Sequence, residues 1–213
     1  MLNTSINSQN NAHLPFQSIK PTLRICDQAV REFKQEFPAL KSNTAIELKI
    51  LNLYGTQNEY LIPKLRQVRH KFDEQVTSLR FDREFFETAL CSPSLKFKTL
   101  KKLVKKYQAG NCGEQADIMQ YELLQKGLKA KQISFCIKNQ TIPRKCNDHV
   151  FVVVDLAEKA KINKPETWGT KAIIVDPWSG LVGKAHDVLK EIMKNFRFNE
   201  KKEKLDFKID NFC

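Results

Sequence analysis

Two short runs do most to limit what this chain can fold into. His149–Leu156 (HVFVVVDL) and Lys171–Asp176 (KAIIVD) are nearly unbroken apolar stretches rich in β-branched residues. A strand that alternates apolar and polar residues can leave one face in water, whereas a continuously apolar strand needs both faces covered. These two runs therefore predict buried strands. A third β-rich run, Ala130–Lys138, precedes them, and the polar, Lys-rich Ala157–Thr170 reads as a long connection between the last two strands.

The first half of the chain supplies helices. Thr22–Phe37 carries Leu23, Ile25, Cys26, Ala29, Val30, Phe33 and Phe37 at close to a 3.6-residue period, and Pro38 ends the pattern. Further helices are expected from about Asn43 to Tyr54, with Gly55 as terminator, and over Pro63–Val76 and Asp82–Leu90. Another should run from Ser94 to Tyr107 on a stripe of Leu95, Phe97, Leu100, Leu103, Val104 and Tyr107. After Gly110 the spacing predicts a helix over Cys112–Gln125 stopped by Gly127, and a short one near Asp187–Phe196. Residues 1–20 read as a flexible Asn/Ser/Gln-rich leader, 21–109 as a helical N-terminal region, 110–200 as an α+β core, and 201–213 as a charged tail.

Composition excludes several classes. No stretch approaches the roughly 20 uncharged apolar residues of a membrane-spanning helix. The N-terminus lacks a basic segment followed by an apolar one, so no secretory signal is expected. The expected location is cytoplasmic, or exported without a classical signal peptide. The six cysteines (Cys26, Cys91, Cys112, Cys136, Cys146, Cys213) show no paired spacing, which predicts reduced thiols in a reducing compartment and no metal site. Nor does any residue pattern call for a cofactor. The net charge of +12 favours acidic partners. The lysines opposite the Ser94–Tyr107 stripe read first as the solvated face of a packed helix, and a nucleic-acid or membrane-surface role ranks below that.

The chemistry is concentrated in Ala109-Gly110-Asn111-Cys112-Gly113-Glu114-Gln115-Ala116. A Gly-Asn turn leads directly into a helix and places a cysteine in its first turn, where the helix dipole and free amides favour a thiolate. Gly113 leaves room for a substrate carbonyl, and amides at the turn could bind an oxyanion. Glu114 is expected to serve as a favourable first-turn charge rather than as a base. A thiolate needs a base. Of the four histidines, His13 lies in the leader, His70 in a charged helix, and His186 beyond the last strand as the one rival; His149 opens a buried strand. Asp176, at the end of the next strand and followed by Pro177, is the candidate partner of that imidazole, with Asp155 as the weaker alternative.

In this order the residues resemble a known family. Gly110-Asn111-Cys112-Gly113-Glu114-x-Ala116 resembles the nucleophile motif of transglutaminase-like proteins, including the peptide N-glycanases. Asp148-His149-Val150-Phe151 is similar to their Asp-His-Val-Trp strand, Ala172–Trp178 to their terminal strand ending in Asp-Pro, and Gly127–Lys131 to the junction before their first strand. The resemblance covers about Gly110–Gly180. It implies a papain- or transglutaminase-like core, with the nucleophile helix packed on an antiparallel sheet. It also implies a Cys112–His149–Asp176 triad forming a thioester with an acyl group from an amide of a protein or peptide. Hydrolysis is slightly favoured over glutamine deamidation or amide transfer. The zinc-binding cysteine pairs of the glycanases are absent, and residues 1–109 match no domain of the family. Gln108, Asn111 and Gly113 are the weaker candidates for the oxyanion and substrate pocket, with Trp168 and Trp178 as its walls. The Lys/Asn-rich, Gly-poor texture fits a bacterial protein acting on a host protein. The alternative is a non-catalytic module of the same fold that uses its basic surface on nucleic acid or an acidic protein.

Overall fold

The computed structural model describes residues 19–38, 40, 70, 73–84, 93–139, 146–196 and 198–210. Helices α1 (Ile19–Glu36), α2 (Pro93–Tyr107) and α3 (Cys112–Gln125) precede β1 (Ala130–Asn139) and β2 (Cys146–Val154). A single 3₁₀ turn at Pro165–Thr167, β3 (Ile173–Asp176), β4 (Leu181–Lys184), α4 (Ala185–Asn195) and β5 (Glu203–Asp210) complete the order. Residues 73–84 are also helical. The expected helix at 43–54 and its terminator Gly55 lie outside the described residues, as does the leader up to residue 18.

The five strands form one antiparallel sheet in the order β4-β3-β2-β1-β5. The class is α+β, and both apolar runs are central strands: Phe151–Val154 and Ile173–Val175 are fully buried. Their alternate residues feed two cores. Val152, Val154, Ile173 and Val175 join α1, α2, α3 and Leu79 on one face. Phe151, Val153 and Ile174 join α4, Trp168 and Phe207 on the other. Burying each such side chain contributes about 1.5–3 kcal/mol of transfer free energy, which explains why the runs contain no polar alternation. Because α1 and α2 share the first core with α3 and the sheet, the N-terminal helices cover the sheet rather than stand beside it.

Several boundaries differ from the sequence reading. α1 begins at Ile19, inside the expected leader, with Pro21 in its first turn where a missing N–H costs nothing. Residues 73–84 run as one helix across the expected break at 77–81, because Val76 and Leu79 keep a buried face at helical spacing. Neither β4 nor β5 is expected from the sequence. The stretch read as a charged tail contains β5, which pairs with β1 from Gln132↔Asp210 to Asn139↔Glu203 and buries Phe207. Leu205, Phe207 and Ile209 alternate with Lys204, Asp206 and Lys208, the period of an edge strand with one wet face.

Three of the α2 lysines make ion pairs within the fold. Lys101 bridges Glu36 of α1 and Glu122 of α3; Lys105 also pairs with Glu36, and Lys106 pairs with Asp82. Among the described residues no helix is long and apolar enough to cross a membrane. Cys26 and Cys112 are free, but Cys136 is disulfide-bonded. The expectation of reduced thiols therefore fails at Cys136, since folding brings together cysteines that no sequence spacing pairs.

Candidate active site

The site is built from three elements distant in sequence. At the start of α3, Asn111 is extended (φ −84°, ψ −173°), and Gln115 N donates to Asn111 O at 3.1 Å, the first bond of the helix. Glu114 fixes this turn. Its Oε2 accepts from Asn111 N (2.9 Å) and its Oε1 from Arg80 Nε (2.9 Å), and the residue is buried. Gln115 Nε2 donates to Gly110 O at 2.9 Å. One turn on, Asp117 accepts from Gln132 Nε2 (2.6 Å) and pairs with Arg83 (2.6 Å), which locks α3 to β1 and to the 73–84 helix. Burial nonetheless holds the Asp117 carboxyl above its ordinary value, opposed by Arg83 and Gln132 and reinforced by the charge of Glu114.

Cys112 is thereby held half-buried at the helix start. Helix pairing leaves the Cys112 and Gly113 amides without carbonyl partners. A Cβ placed on Gly113 would meet nothing within 4 Å, so no atom crowds the side-chain position beside the cysteine.

His149 comes from β2, at the level where β1 contributes Phe135 and β5 contributes Phe207. β3 pairs with β2 only from Val152 to Val154, so His149 lies just past the paired stretch. There the chain turns after β3, and Asp176 faces the imidazole: His149 Nε2 donates to Asp176 Oδ2 at 2.8 Å, with both side chains buried. The turn itself holds the carboxylate. Oδ1 accepts from Trp178 N (3.1 Å) and Ser179 N (3.3 Å), and Oδ2 accepts from Ser179 Oγ (2.6 Å). Gly180, at φ +77°, closes the turn by donating to Asp176 O at 2.8 Å.

Cys112 lies close enough to the same ring to help raise its pKa. With Nε2 committed to Asp176, the buried and otherwise unpartnered Nδ1 is the nitrogen left to it. No regular hydrogen bond joins Nδ1 to the thiol, a looseness common at such sites before substrate arrives. The ring is walled by Trp178 (centroids 4.6 Å apart), Phe196 (5.4 Å), Phe135 (5.8 Å) and Phe151 (6.1 Å). Burial alone would push the imidazole pKa down. The bond to Asp176, its charge and the nearby Cys112 outweigh it and carry the value up to about 9.

The structure therefore brings Cys112, His149 and Asp176 together, with Asn111, Gly113 and Trp178 around them. It separates the others. Gln108 is exposed, has φ +48°, and lines a small cavity of about 120 Å³ with Glu36, Phe37 and Lys105. Trp168 is core, its Nε1 donating to Ile162 O, and is not a pocket wall. Asp155 sits at φ +56° where its charge acts on Cys26. His186 and His70 are exposed beside Asp187 and Glu74. Sequence reasoning missed Ser179; the signal was an aspartate followed three positions later by a serine, a spacing that favours side-chain-to-turn bonds. No cluster of three or more metal-ligating side chains occurs among the described residues.

No protein-family model, no curated protein and no solved structure matches this chain.

Proposed function

We propose that the chain is a cysteine-dependent enzyme that attacks an amide of a protein or peptide and passes through a thioester on Cys112. The observation that carries this reading is the convergence of a helix-start thiol and a buried carboxylate on one imidazole, from three elements far apart in sequence. A side chain that merely packs has no need of a base oriented by a second acid.

In this reading Cys112 Sγ attacks the carbonyl carbon, and the oxyanion is received by the Cys112 and Gly113 amides at the open end of α3. His149, held by Asp176, gives its proton to the departing nitrogen, so that the C–N bond breaks as the amine leaves neutral. It then takes a proton from water or an incoming amine, which attacks the thioester; the C–S bond breaks and Cys112 leaves as a thiolate beside the reprotonated His149. Hydrolysis is favoured slightly over deamidation or transfer. The order of the motif residues, and a helix packed on an antiparallel sheet, support placing the core with transglutaminase-like proteins. The Cys136 disulfide supports export over a cytoplasmic location.

The test is a proteome incubated with wild type and with Cys112→Ala and read by mass spectrometry. Wild-type-dependent cleavage, deamidation or cross-linking supports the proposal. Their absence, together with Cys112 being alkylated no faster than Cys26, would sink it. The charge of +12 favours a second reading, a binding module for acidic partners. Salt-sensitive binding that survives Cys112→Ala would support it, although the ion pairs of Lys101, Lys105 and Lys106 already neutralise part of the α2 face.

A further inference from the structure

We propose that Ser179 is a positioning residue of this site: its hydroxyl shares Asp176 Oδ2 with His149 and so sets how strongly that carboxylate holds the imidazole. The inference rests on the function proposed above. Ser179 Oγ donates to Oδ2 at 2.6 Å, shorter than the 2.8 Å from His149 Nε2 to the same oxygen. The two backbone amides of the turn, Trp178 N and Ser179 N, bond to Oδ1. The carboxylate's orientation is therefore fixed from one oxygen, while its charge toward the ring is moderated at the other.

A hydroxyl dipole pointed at an oxygen withdraws part of the negative potential that the neighbouring imidazolium feels. The groups that face His149 and bear on its charge are Asp176 at the end of β3 and Cys112 at the start of α3, while the ring contacts are the uncharged Phe135 of β1, Phe151 of β2, Phe196 just after α4 and Trp178 of the turn. No cation among these offsets the carboxylate, so the Ser179 hydroxyl is the nearest brake on a ring already raised to about 9. A base pinned too firmly in its protonated form is slow to accept a proton from water or an amine in the second half of the reaction.

The experiment is the titration of the His149 side chain by proton–nitrogen NMR in wild type, Ser179→Ala and Ser179→Thr, assigned by the signal lost in His149→Gln. Ser179→Ala should move the midpoint upward by about one pH unit, Ser179→Thr should leave it near wild type, and the alkaline limb of Cys112 alkylation should move with it. Should Ser179→Ala fail to fold, Ser179→Cys, a weaker donor of similar shape, should give a smaller upward shift. A midpoint that stays put overturns the proposal. So does one that falls, since that would make the hydroxyl a purely structural support. The NMR readout does not depend on turnover, so a Ser179 effect on a chain that modifies no protein would separate failure of the proposed function from failure of this inference.

Discussion

Replacing Asp176 by asparagine keeps the shape of the turn and removes the charge beneath His149. The consequence shows in how stability varies with pH. His149 binds its proton with a pKa of about 9 in the fold against 6.5 for the free group. At about 1.4 kcal/mol per tenfold change in affinity, that corresponds to on the order of 3 kcal/mol favouring the protonated fold. The ring is buried, so solvent screens little of it. The folded value is raised, so this stability is fully present below pH 6.5, declines as pH rises, and is gone above about 9. In Asp176→Asn the charged acceptor is lost and burial dominates, so the variant has no such store to lose. Urea denaturation of both proteins at intervals from pH 6 to pH 9.5 isolates the effect, because other titrating groups are common to both. The wild-type advantage should shrink by about 3 kcal/mol across the window, with a slope no steeper than about 1.4 kcal/mol per pH unit. A gap that stays constant, or widens with pH, would refute the coupling of His149 to Asp176.

Gly180→Ala should cost about 1–3 kcal/mol by thermal melting, because φ is +77° and the new Cβ would collide with Lys34 Nζ. Adding Lys34→Ala should relieve the contact but not the backbone part. Glu114→Gln turns an amide toward Arg80 and weakens the hold on Asn111 N, so about 1–3 kcal/mol of stability should go, and Cys112 alkylation should slow with it. Trp168→Phe should lower the melting temperature through the lost bond to Ile162 O yet leave Cys112 alkylation unchanged; a parallel loss of reactivity would return Trp168 to the pocket.

How far the sequence reveals this site depends on which interaction fixes each residue. Cys112 is legible because its placement is local: a turn, a helix start and a small following residue are all read within a few positions. His149 is legible because few histidines exist and one opens an apolar strand. The choice between Asp176 and Asp155 is not local, since both end buried strands. What decides it is the turn after β3, whose amides and hydroxyl hold Asp176 at the ring, while Asp155 sits at a positive φ and its charge acts on Cys26. The two missed strands fail for different reasons. β4 has only four residues and contains Gly183. β5 alternates correctly, but its lysines and acids dominate the composition, as edge strands often require.

The distance between thiol and imidazole is a further level that no motif encodes, because the two belong to different cores. α3 packs through Ala116, Ile118, Met119 and Leu123 into the layer it shares with α1 and α2. His149 is walled by Phe135, Phe151 and Phe196 of the layer on the opposite face of the sheet. The site lies at the seam, where β3 ends and its turn begins, so any slide of α3 along the sheet changes the Cys112–His149 separation directly. The Asp117–Gln132 bond and the Arg83–Asp117 and Arg80–Glu114 pairs resist that slide. This is a physical reason for buried polar groups on a helix whose other contacts are apolar: dispersion and burial tolerate small shifts, whereas short charge-assisted bonds fix a register. The 73–84 helix, which supplies both arginines, is thus tied to the placement of the nucleophile although it contributes nothing to the chemistry itself.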